Sequence, residues 1–241
     1  MLSLFQMRRP QLSLPLQQPK ASWGGRREGA GRKKLPGTVP HARRAFLEAT
    51  HPVHVTVRAD PGLGSLRRGK VMQVIMRRLR ALAHDDRFAA RRRTFRVVEF
   101  SVQTDHLHLV VEARSARALS RGMMGLLAWL ARDVNRTLGR HGQVFVQRFH
   151  ARALTSPRAV RNALVYVLLN AAKHHAWAPE RGTVIVDGID PCSSARWSHA
   201  WRRPPPPDPR PPPTSTPTTW LLATGWRRRA PRIARNERPA T

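Results

Sequence analysis

Residues 94–113, TFRVVEFSVQTDHLHLVVEA, constrain the fold more than any other stretch of the chain. Two runs alternate apolar and polar residues with period two, and only Thr104 and Asp105, both turn formers, stand between them. The pattern predicts a tight β-hairpin. In its first strand Val98, Phe100 and Val102 share one face, against Val97, Glu99, Ser101 and Gln103. In its second strand Leu107, Leu109 and Val111 point at a core, which forces His106 and His108 together onto the opposite face.

The segments on either side supply what the hairpin packs against. HPVHVTVRA, 51–59, reads as a half-buried strand with Val53, Val55 and Val57 inward and His54, Thr56 and Arg58 outward. After it, Ser65 is placed to cap a basic amphipathic helix with Val71, Ile75, Leu79 and Leu82 on one stripe. A second helix is predicted over 116–138, opened by Ser115, closed by Gly139 and striped by Leu119, Met123, Leu127, Leu130, Val134 and Leu138. QVFVQRFHARAL, 143–154, gives a fourth strand. The order β-α-β-β-α-β predicts an α+β fold, a ferredoxin-like (RRM-like) four-stranded antiparallel sheet with both helices on one face and the other face open.

One more helix follows, with Ser156 as cap and Pro157 at its first position. Its stripe is Val160, Ala163, Leu164, Val167, Leu168 and Ala171. Tyr166 and Asn170 lie about 90 to 130° from the stripe centre, one turn apart, with Lys173 continuing the ridge. This C-terminal helix is therefore expected to aim a phenol and an amide sideways at the open sheet face.

Charge narrows the partner. With 44 Lys+Arg against 14 Asp+Glu the formal net charge is +30, which calls for a polyanion, and nucleic acid fits best. Residues 1–45 read as a flexible basic arm whose GGRREGAGRKK carries Arg26, Arg27, Arg32, Lys33 and Lys34 as DNA contacts, along phosphates or in a minor groove. Residues 46–178 form the domain. Residues 179–241 are a Pro-rich, basic, largely disordered tail, RRPPPPDPRPPPTSTPTT being a polyproline spacer ahead of TWLLATGWRRR. A single cysteine, Cys192, fits a reducing cytoplasm, and no apolar run reaches membrane-helix length. The expected location is cytoplasmic, at the nucleoid.

His-x-His alone is weak, since eleven histidines in 241 residues give about 0.5 chance occurrences. On a strand, however, it sets two imidazoles on one face, which is two-thirds of a minimal metal site. Asn170 offers a third ligand through its amide oxygen, and Tyr166 one turn away is the only tyrosine. An oxygen nucleophile beside a metal, on a strongly cationic chain, points to phosphodiester chemistry. Lys173, or Arg58 across the sheet, is placed to help the phenol lose its proton. Imidazole ligands alone would suit zinc, whereas the phosphoryl task favours Mg2+ or Mn2+.

The element order, the HLH on the third strand and the ALVYVLLN run at 163–170 resemble the single-tyrosine HUH transposases, and among them the REP-associated tyrosine transposases. The likeness covers about 51–175. It implies metal roles for His106, His108 and Asn170, and Tyr166 as the nucleophile that leaves a 5′-phosphotyrosine and a free 3′-hydroxyl. The activity implied is cleavage and joining of single-stranded or hairpin DNA in transposition or recombination, by a monomer or homodimer. Asp105 stands where members of that family commonly have Asn. The rival expectation is a non-catalytic nucleic-acid binder, either an RRM-like module reading bases with Phe145 and Phe149 or an inactive transposase relative.

Overall fold

A computed structural model describes residues 46–175, 188–228 and 230–237, with side chains through 170 in the helix that ends at 175. Arg26, Arg27, Arg32, Lys33 and Lys34 of the expected basic arm lie outside the described residues. In chain order the elements are β1 (Val53–Arg58), α1 (Gly69–His84), α2 (Ala89–Arg92), β2 (Phe95–Val102), β3 (His106–Ala113), α3 (Ala116–Leu138), β4 (His150–Ala153), α4 (Pro157–His175) and α5 (Trp220–Ala223). The fold is α+β. Its four strands lie in the order β2-β3-β1-β4, every neighbouring pair antiparallel.

Pairing of Val53 with Val111, Val55 with Leu109 and Val57 with Leu107 stacks the apolar alternates of β1 and β3 on one face. There they meet α1 through Val71, Ile75, Leu79 and Leu82, and α3 through Leu119, Met123, Leu126, Leu130 and Val134. α3 starts and stops where its sequence signals stand: Ser115 Oγ accepts from the Ala118 N–H, and Gly139 ends the helix in the left-handed region, φ 59°. Gly122 lets α3 approach the sheet, since a Cβ there would sit 2.2 Å from Cγ of Phe95. α1 starts later than expected. Its N-cap is Arg68, while the Ser65 hydroxyl accepts from Arg67 N–H in the turn ahead of it.

β2 departs from simple alternation. Its register against β3 slips between Val97, opposite Val111, and Glu99, opposite Val110. The extra residue reverses the parity of the strand, so Phe95 and Val97 before it, and Phe100 and Val102 after it, all reach the same core. Val98, expected beside Phe100 and Val102, faces the other way, against α4. The fourth strand is shorter than the 143–154 run, with Phe145 making only an isolated bridge to Ala59. Phe149 is buried in the first core and Phe145 packs against it, so neither offers the stacking platform of the RRM-like expectation.

The second face is not left open along its length. α4 lies over it and builds a second core from Val98 and Val110 of the sheet and Val160, Leu164, Val167 and Leu168 of the helix. Trp201, Leu221, Leu222, Trp226 and Ile233 of the tail close the far side of that helix. This is why Val165 and Leu169, off the expected stripe, are also buried. The expectation of a largely disordered tail is corrected over 188–228 and 230–237. The proline run is too polar and stiff to enter a core, but it serves as a strap that delivers the apolar residues beyond it.

Edge pairing and buried carboxylates hold the strap. Val102 N–H donates to Cys192 O (2.9 Å), Ser194 N–H to Phe100 O (2.9 Å) and Ser215 N–H to Val97 O (2.8 Å), so the tail covers the exposed edge of β2. Glu112 accepts from the backbone N–H and the hydroxyl of both Thr218 and Thr219, at the entrance to α5. Arg67 grips Asp190 through two nitrogens, at 2.6 and 3.1 Å. Glu99 accepts from the Ser194 hydroxyl at 2.5 Å and the Ser198 hydroxyl at 2.6 Å.

Burial pushes the Glu99 carboxyl up to about 7, against the opposing donations from Ser194 and Ser198. The folded chain then binds this proton more tightly than the unfolded chain does. The contribution of Glu99 to stability is present below the ordinary glutamate range and is lost as pH rises through about 7. Thermal denaturation is expected to show the wild type losing stability relative to Glu99→Gln between about pH 5 and pH 8. Parallel curves for the two proteins would refute the assignment.

Candidate active site

The face of β1 and β3 turned away from α1 and α3 carries Arg58 opposite His106 and Thr56 opposite His108. Strand geometry alone puts these side chains together, because directly paired residues in an antiparallel ladder share a face. His106 and His108 have ring centroids 4.6 Å apart. His106 Nδ1 donates to Asp105 Oδ1 at 2.7 Å, which puts the proton on Nδ1 and the lone pair on Nε2. Burial works against ionisation of Asp105, but the hydrogen bond from His106, with the Arg58 charge beyond, holds its carboxyl below the usual range. An orienting carboxylate behind a histidine is the usual second layer of a metal-binding imidazole.

His108 is engaged by β1. Its Nδ1 lies 3.2 Å from Thr56 Oγ1 and 3.3 Å from His54 Nε2, and the His54 and His108 rings stack at 5.3 Å. Burial first, then the charges of His150 and Arg152, bring the His54 pKa down to about 4, so this imidazole is neutral near pH 7. Proximity of His54 to the pair was legible from the parity of β1. Its direct contact with His108 was not, because that depends on ring rotamers.

α4 brings Tyr166 to the same place. The phenol ring stands edge-on to His108 at 5.0 Å and to His54 at 5.8 Å between centroids. It is half-buried, and burial raises its pKa, so the hydroxyl holds its proton until something assists ionisation. Asn170, one turn further along α4, is fully buried, and neither its Oδ1 nor its Nδ2 has a hydrogen-bond partner among the described residues. Among the described residues no three His, Cys, Asp or Glu side chains are grouped to hold a metal ion, so a three-ligand set here requires a donor of another type. Lys173 follows on the same helix, but its side chain lies outside the described residues.

One flank of the site is open. Arg58 is 67% exposed, and His150 and Arg152, paired across β1 with Thr56 and His54, are also exposed. These β4 side chains were not singled out in the sequence, yet the period-two alternation of HARA puts both on the histidine face. α4 covers the sheet toward β2, so an approaching anion meets cations on the β1–β4 side and the phenol on the other. Among the described residues no helix is long and apolar enough to cross a membrane.

No protein-family model matches the chain, and no curated protein matches it. Among solved structures, "Structure of the REP associates tyrosine transposase bound to a REP hairpin" is similar over 65% of this chain and 82% of that one, at 16% sequence identity and a TM-score of 0.43. A likeness of that size assigns neither a family nor a reaction to this chain.

Proposed function

We propose that the protein is a metal-dependent DNA transesterase of ferredoxin-like fold that cuts and rejoins single-stranded or hairpin-bearing DNA through Tyr166. The observation that carries the reading is the convergence of the lone tyrosine on the paired histidines, with a buried amide, unpartnered among the described residues, one turn away on the same helix. A buried amide left without partners costs about 1 to 3 kcal/mol, a penalty that a ligand on Asn170 Oδ1 reduces.

The residues fit a divalent cation, Mg2+ or Mn2+, held by His106, His108 and Asn170 Oδ1. Bound there, such an ion would supply neutralisation of the phosphate's negative charge. Asp105 keeps His106 in the tautomer that presents Nε2. Exposed Arg58 and Arg152 draw the phosphate to the open flank. Tyr166 Oη forms the bond to phosphorus as the P–O3′ bond breaks, giving a 5′-phosphotyrosine and a free 3′-hydroxyl. The phenolic proton passes to solvent at the open flank, where the exposed charge of Arg58 favours the phenolate. Because the new ester retains the phosphodiester, the 3′-hydroxyl of another strand reverses the step without a nucleotide cofactor.

The test follows the label. With Mn2+ and hairpin-flanked single strands, a 3′-end label is expected to stay on the protein after denaturation and a 5′-end label to be released. Chelator, or His108→Ala, is expected to abolish the adduct. Mn2+ is also expected to raise the melting temperature of the wild type but not of His108→Ala. An adduct indifferent to chelator would remove the metal from the reading, and binding with no adduct would leave a nucleic-acid binder.

A further inference from the structure

A groove of about 670 Å3 runs between α1 and the docked tail, outside the histidine face. Its walls carry Arg67, Arg77 and Arg80 from one side and Arg196, Trp197 and Arg210 from the other. We infer that this groove is a path for single-stranded DNA, holding the strand that extends from the active site. The inference takes its choice of polyanion from the proposed function.

The groove keeps a cationic surplus after its ion pairs are formed. Asp190 is committed to Arg67, and Asp208 is shared between Arg210 at 2.7 Å and Arg196 at 3.7 Å. Asp133, 3.2 Å from Arg77, also serves Arg78 at 2.6 Å and Arg136 at 3.6 Å. Arg80 makes no ion pair among the described residues. Its Nε donates to Pro211 O, and its Nη2 is buried with no hydrogen-bond partner among the described residues.

Two further features select a single strand. The Arg80 guanidinium sits 5.7 Å from the centroid of Trp197, and this pairing of a cation with an indole is the kind of platform on which an unpaired base stacks while nearby arginines hold the backbone. A duplex presents no base face to such a platform. One wall of the groove is also tied to the hairpin that carries the histidines. Arg67 Nη1 donates to Val102 O at 2.6 Å, and Leu66 N–H donates to Thr104 O at 2.8 Å, two residues before His106. Arg67 thus belongs both to the groove wall and to the contacts that hold the hairpin bearing Asp105 and His106.

Fluorescence anisotropy of the full chain with a labelled mixed-sequence single strand of roughly 25 nucleotides tests the path. Arg80→Gln combined with Arg196→Gln is expected to weaken binding about tenfold and to reduce the slope of log K against log salt by about 1.4, at 0.7 per lost phosphate contact. Arg77→Gln, at a side chain 66% exposed, is the second variant should the double change lower the melting temperature, and it is expected to reduce the slope by about 0.7. Unchanged affinity and slope in a folded variant would overturn the inference. So would displacement of the strand by polyglutamate as readily as by unlabelled DNA of equal charge, which would make this an acidic-peptide groove. A wild type that binds with the arginine dependence but forms no adduct would refute the transesterase reading and leave the groove standing. An intact adduct with no arginine dependence would do the reverse.

Discussion

Tyr166→Phe is expected to lower formation of the covalent protein–DNA adduct on the order of a thousandfold or more, while DNA affinity stays within about twofold of wild type. The substitution removes one oxygen and nothing else. The ring contacts with His108 and His54, at 5.0 and 5.8 Å, are made by the part of the side chain that remains. The hydroxyl has no hydrogen-bond partner among the described residues, so its loss strands no buried group and the melting temperature is expected to hold. No other tyrosine exists to take over. Denaturing electrophoresis with 3′-labelled substrate reads the adduct, and anisotropy reads binding. Adduct at wild-type level in the variant would remove Tyr166 as nucleophile, and with it the central step of the proposed reaction. Loss of adduct together with loss of binding would instead assign the phenol to holding DNA.

How far the sequence predicts this arrangement depends on the kind of physics each part uses. The limits of α3 are local chemistry, a serine hydroxyl at one end and a left-handed glycine at the other, and both are legible. Placement of His106 and His108 on one face with Thr56 and Arg58 is strand parity and is equally legible. Parity fails in β2, where the extra residue near Val98 moves that side chain to the second core. TFRVVEFSVQ has apolar residues on both faces, so its alternation does not say where a bulge sits. The face that Tyr166 presents follows from helical spacing, but the half-covered, half-open character of the sheet surface around it does not. That depends on which long-range partner covers α4, and the partner is the tail, whose proline-rich stretch looks like a spacer. The signal available in the sequence was the concentration of Trp201, Leu221, Leu222, Trp226 and Ile233 beyond 200, too apolar for a free polar tail. The carboxylates point the same way. In a chain with only 14 acids, Glu99 and Glu112 of the sheet are committed to the tail and Asp190 of the tail to Arg67, an assignment visible only once β2, β3 and the strap are side by side.

Trp226→Ala is expected to be among the most destabilising single changes available, at about 3 to 5 kcal/mol against a total that for a domain of this kind is about 5 to 15. The indole is 1% exposed, its Nε1 donates to Leu222 O at 3.0 Å, and it closes the second core on the side of α4 away from the sheet. Truncation leaves a cavity, because that core is bounded by β2 and β3 on one side and the covalently tethered strap on the other, and neither moves freely to fill it. α4 then loses the layer that presses it onto the sheet. Since this helix carries Tyr166 and Asn170, adduct formation is expected to fall together with stability. Trp220→Ala is the internal control. That side chain is 53% exposed, so its loss is expected to cost under about 1 kcal/mol and leave activity in place. Denaturant melts give the two free energies, and limited proteolysis across 204–217 reports the strap, with cutting expected to accelerate in Trp226→Ala and not in Trp220→Ala. Equal, small effects from the two substitutions, with the strap equally resistant in both, would mean that the tail does not hold α4 and that Tyr166 keeps its place by contacts with the sheet alone.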